Sequence, residues 1–225
     1  MHTRNAFIAA AVLGLASASP LASLGVVPKA PPDTPSAVEQ AFVTRATSEL
    51  QDRYGTIDRA YANGYFRYSY EDKSGAISWI NTRYWTSDEL HPSQLWYDAK
   101  GRLIGVDYTL PFTDLKHPPS KWGIISSRWS ETTPHVHYGI VTPEQGLRYG
   151  HLHLFDFKKA WGDFYNPSAL VVVNAGKAPS VNDVAFVFLF RHVWELEFWL
   201  IPNPKGAFAF MNPNVHPTAG TQPHN

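Results

Sequence analysis

Two short segments carry the residues best suited to chemistry. Pro134-His135-Val136-His137-Tyr138-Gly139-Ile140 is followed by Tyr149-Gly150-His151-Leu152-His153-Leu154-Phe155, so His-x-His occurs twice in quick succession. On a strand, residues i and i+2 point to the same side, about 6.5–7 Å apart. The intervening Thr142-Pro143-Glu144-Gln145-Gly146 has the residue types of a tight reversal. A hairpin centred on Glu144 sets His137 opposite His151 and His135 opposite His153, with opposed Cβ atoms about 4.5–5.5 Å apart. The alternate positions are apolar: Val136, Tyr138 and Ile140 on one arm, Leu152 and Leu154 on the other. A slip of one residue would set apolar side chains against histidines, so all four imidazoles are expected on one face.

Neutral imidazoles bind zinc, copper and iron. Three of them plus a water make a catalytic zinc arrangement. The expectation is therefore a divalent metal, zinc first with copper or iron as alternatives, on His135, His137, His151 and His153. Three would bind and the fourth would be spare or supporting. His192, Glu195 and Glu197 are the candidates for a further ligand or for partners that orient the ligands. A metal-bound water of lowered pKa would serve a hydration or a hydrolysis. The plainer alternatives are a solvated row of histidines on a sheet and a core role for His192. Glu195 and Glu197 form an i, i+2 carboxylate pair, fit either for acid/base work on a sugar or for a solvated strand face.

The twin His-x-His resembles the sites of two families. Cupins use His-x-His within a β-barrel, but follow it with a Glu four or five positions on and a later His. Glu144 lies too far past His137 to fill that place. The pattern also resembles α-type carbonic anhydrases, in which His-x-His is joined by a histidine from the neighbouring antiparallel strand. That resemblance implies imidazoles from two strands sharing one metal, and it covers the hairpin alone.

The elements that must position these residues follow from hydrophobic period. Ser36-Ala37-Val38-Glu39 is a capping box, and Val38, Phe42, Ala46 and Leu50 recur on one face of a helix over 36–54, closed by Gly55. From residue 65 the period becomes two. Strands are expected at 65–71, 76–85, 94–98, 102–110, 122–129, 134–141, 147–155, 170–174 and 207–211. The long apolar run 184–201 should bend or break near Arg191. This is a mainly β chain: a single antiparallel β-sandwich or barrel of about nine to ten strands with one N-terminal α-helix.

The 225 residues hold 19 Lys plus Arg against 19 Asp plus Glu, which argues against a nucleic-acid partner. With no cysteine, disulfides and thiolate metal sites are excluded. Arg4, the apolar run 6–15 and Ala16-Ser17-Ala18 read as a signal peptide over 1–18. A Pro-rich linker over 19–35 and one β-rich domain over 36–225 follow, the latter ending in a Pro/Asn-rich tail from 212. The expected location is extracytoplasmic, periplasmic or secreted, with no membrane span after cleavage. Eight tryptophans carry a second reading, a non-enzymatic protein that binds a carbohydrate or small apolar ligand through exposed Trp85, Trp122 and Trp161. A third is a structural envelope protein without a small-molecule site.

Overall fold

The computed structural model describes residues 34–160 and 162–218. The signal-peptide reading of 1–18 and nearly all of the linker lie outside these residues, as does Trp161.

The chain is mainly β. Its two antiparallel sheets hold six and three strands, and neither closes into a barrel. Helix α1 (Ala37–Tyr54) starts at the capping box. The Ser36 hydroxyl accepts from the Glu39 amide at 3.2 Å, and the Glu39 carboxylate accepts from the Ser36 amide at 2.8 Å. After α2 (Ile57–Ala62) come β1 (Phe66–Glu71), β2 (Ile77–Ile80), β3 (Gln94–Tyr97), β4 (Leu103–Pro111), β5 (Ser130–Thr132), β6 (His135–Thr142) and β7 (Gly146–Leu152). Two short helices, α3 (Leu154–Lys159) and α4 (Ala169–Asn174), precede β8 (Val184–Phe190) and β9 (Val193–Trp199). The larger sheet runs β1-β2-β3-β4-β9-β5 and the smaller β7-β6-β8.

Several elements differ from the sequence expectation. The described residues hold four α-helices rather than one. Residues 170–174 are helical: Val171 and Val172 pack onto the smaller sheet, and tertiary burial overrides the β preference of a Val-Val-Val run. The stretch 122–129 holds a 3-10 turn (Ser126–Arg128), and β5 follows it unforeseen. No described strand covers 207–211. That segment instead gives the Ala207 and Ala209 carbonyls to the backbone and indole N–H groups of Trp199. The run 184–201 does break, at Arg191–His192, and its halves enter different sheets.

Alternation gives each sheet two distinct faces. On the larger one, Val106, Tyr108, Leu110, Leu196 and Phe198 bury against Phe42, Ala46 and Leu50 of α1. On the smaller one, Val136, Tyr138, Ile140 and Leu152 bury against Phe157, Val171 and Val172. The remaining faces meet through aromatic rings. Phe66 contacts Phe186 and Phe188 at centroid distances of 5.4 and 5.7 Å, and Tyr68 meets the His137 ring at 4.7 Å. The histidine face of β6 is therefore turned toward β1, not toward open solvent.

One buried ion pair joins α1 to the approach of β5. Arg128 Nε lies 3.1 Å from Glu39 Oε1, and both side chains are almost fully enclosed. Replacing Arg128 with Met strands the Glu39 carboxylate. The expected loss is about 3–5 kcal/mol, measured by denaturant unfolding, against which a surface-like loss under 1 kcal/mol would speak.

Candidate functional site

The hairpin register is the one read from the sequence: Val136 pairs with Leu152, His137 with His151 and Thr142 with Gly146. His153 lies one residue past β7 and is the N-cap residue of α3, and Leu154, expected on the apolar face, is exposed. The rings nonetheless gather. Centroid separations are 4.7 Å for His135–His137, 4.9 Å for His151–His153, 6.1 Å for His137–His151, 6.2 Å for His135–His151 and 6.4 Å for His135–His153. Together with Glu131, Thr132 and Thr133 they line a cavity of about 420 Å³.

Two features favour ligation by His135. Its Nδ1 lies 2.9 Å from the Thr133 carbonyl, which can only accept, so Nδ1 carries the proton and Nε2 presents a lone pair. Burial holds its pKa below the usual histidine value and keeps the ring neutral. Its Nε2 stands 2.9 Å from Nε2 of His137. Two nitrogens on one tetrahedral zinc stand about 3.3 Å apart, and rings sharing such an ion have centroids about 5 Å apart. The five ring pairs given above each lie within about 1.5 Å of that spacing. Among the described residues, however, no group of three or more His, Asp or Glu side chains is arranged to hold a metal ion as it stands.

The other candidates separate. His192 sits in the turn between β8 and β9, half-exposed. Its ring stacks on Phe112 at 3.8 Å, and its Nε2 is 2.8 Å from Glu131 Oε1. It is neither a core residue nor part of the imidazole cluster, but it orients a carboxylate that lines the cavity. Trp85 is buried against Phe190, and the half-buried Trp122 stacks on Phe42 at 5.7 Å at the margin of the α1 core. Trp85 therefore lacks the exposed face that the aromatic-binding reading needs.

Glu195 is not on a solvated face. It is 7 % exposed and sits in the wall of a second cavity of about 660 Å³ that also contains Glu197, Asp107, His135 and His137. Thr132, His135 and His137 line both cavities. Asp107 stands directly opposite Glu197 across β4 and β9, and Thr109 opposite Glu195. The Glu195 carboxylate accepts from Gln94 Nε2 at 2.9 Å and from the Thr132 hydroxyl, while the Tyr68 hydroxyl donates to Gln94 Oε1. Burial, and then the Glu197 charge, push the Glu195 pKa up to about 7. Asp107 is raised by burial and then by Glu197 and Glu195. Glu197 is raised by desolvation in the cavity wall and then by Asp72.

Sequence reasoning missed Asp107, Gln94, Tyr68 and Thr132. The signal was present in β4, whose alternate positions Gly105, Asp107 and Thr109 are small or polar and yet, as the structure shows, fully enclosed. The chain matches no protein-family model, no curated protein and no solved structure. No described helix is long and apolar enough to cross a membrane.

The raised Glu195 pKa has a signed consequence. The unfolded chain ionises this group near 4.5 and the folded chain near 7, so the folded state holds more protons between those values. Stability therefore falls as pH rises through that window and levels off above it, by on the order of 3 kcal/mol from this group. Glu195→Gln should flatten the fall. Urea unfolding from pH 4.5 to 8 that leaves the slope unchanged in the variant would contradict the assignment.

Proposed function

We propose that the histidine hairpin binds one divalent metal ion, zinc first, and that the ion activates water for a hydration or hydrolysis of a small molecule held between the two sheets. The reading treats those sheets as the halves of a sandwich and the protein as exported. One observation carries it: four imidazoles from β6 and the end of β7 line a single cavity, with the Nε2 atoms of His135 and His137 2.9 Å apart. A shared ion needs only that this pair open by a few tenths of an ångström and that His151 or His153 swing inward.

Each chemical role has a candidate residue. His135 and His137 are the chelating pair, and the Thr133 carbonyl fixes the tautomer of the first. His151 is the third ligand, presented directly across the ladder. Glu131, oriented by His192, lines the same cavity and would accept the proton of the bound water. Glu195 titrates near neutrality and borders the adjoining cavity, where it would return a proton to the leaving group.

The test is equilibrium dialysis of untagged protein against zinc, with metal measured per chain. One ion per chain is expected. Losing a partner that merely orients a ligand costs 10–100-fold in affinity, so His135→Ala with His137→Ala should weaken binding by roughly 100-fold or more. Zinc that fails to bind, or binds the double variant equally well, overturns the reading.

A further inference from the structure

The larger cavity concentrates negative charge that no ion pair among the described residues balances. Asp107 and Glu197 are cross-strand neighbours, and Glu195 lies two positions along β9 on the same face. Like charges placed directly opposite destabilise a sheet. No described Lys or Arg makes an ion pair with any of the three. Lys73 is the only described Lys or Arg among the lining residues. Asp107 is only 3 % exposed; its Oδ2 accepts from the Trp96 indole at 3.1 Å, while its Oδ1 has no partner. A buried carboxylate oxygen in a cavity wall calls for a donor.

Tyr68, Trp96, Phe190 and Phe210 add aromatic rings to the wall. The indole of Trp96 sits against Gly105, where a Cβ would meet the ring. Trp96 also lines the cavity. Phe210, 86 % exposed, adds its ring at the rim. An exposed phenyl beside a cavity of this size fits a ligand with an apolar part.

We propose that this cavity binds a primary alkylammonium ion, its charged head among Asp107, Glu195 and Glu197 and its alkyl chain against Trp96 and Phe210. The head brings a cation to pair with the opposed carboxylates, which Lys73 does not do, and N–H donors for Asp107 Oδ1. Aromatic faces attract such a cation further. A sugar offers donors but leaves the repulsion in place. A calcium or magnesium ion prefers six or more oxygens and makes no use of the rings. The proposal is independent of metal at the imidazoles, because its test uses metal-free protein.

The test is calorimetric titration of the full chain, stripped of metal, with n-butylammonium at pH 8. Its uncharged isostere n-butanol, glucose and calcium chloride are titrated in parallel. Saturable 1:1 binding of n-butylammonium alone is expected. Asp107→Asn and Glu195→Gln should each weaken it by at least about tenfold. Both variants should also melt at a higher temperature, because they relieve like-charge repulsion, and a purely structural carboxylate would not produce that pairing of gain and loss. The proposal fails if n-butanol or glucose binds as well as n-butylammonium, if calcium alone saturates the site, or if n-butylammonium gives no saturable heat. It also fails if the folded variants bind unchanged. The comparison of n-butylammonium with n-butanol needs no variant, so a misfolded mutant leaves the test intact.

Discussion

Everything in the site depends on the parity of β6. Val136, Tyr138 and Ile140 are buried against the helical layer of α3 and α4. Each such burial contributes roughly 1.5–3 kcal/mol. A strand cannot shift by one residue without surrendering all three at once. The remaining positions, His135 and His137, are thereby forced into the space between the sheets, where β7 adds His151 and α3 begins at His153. The helices that cover one face of the small sheet are thus the reason its other face can hold polar chemistry.

The opposite wall obeys the same rule with carboxylates in place of imidazoles. On β4 and β9 the positions facing α1 are apolar, which leaves Asp107, Glu195 and Glu197 to face the cavity. A hydrogen-bonded chain from Tyr68 through Gln94 and Glu195 to Thr132 links β1, β3, β9 and β5 around it. Such networks rigidify a wall when each member is satisfied. Three clustered carboxylates work against stability, and sites that do so are where function is commonly found. The neighbouring Arg128–Glu39 pair holds α1 to the segment that delivers Glu131 and Thr132.

How much of this could be read from the residues divides along physical lines. The hairpin register was legible because period-two alternation, a turn-forming loop and an apolar face agreed with one another. The break near Arg191 was legible from length alone. The helical fate of 170–174 was not, since only packing on a sheet assembled from distant segments decides it. Nor was the inward aim of Glu195. An i, i+2 acid pair reads as a wet strand face until a second sheet is known to cover it. Asp107 lay hidden for the same reason: its neighbour across the sheet on β9, Glu197, is far away in sequence.

The central claim is that imidazoles from two adjacent segments share one ion. X-ray absorption at the zinc edge of the zinc-loaded full chain tests it most directly. The account predicts three nitrogen scatterers at about 2.0–2.1 Å carrying the outer-shell signature of imidazole. A shell of water or carboxylate oxygens without that signature would contradict it.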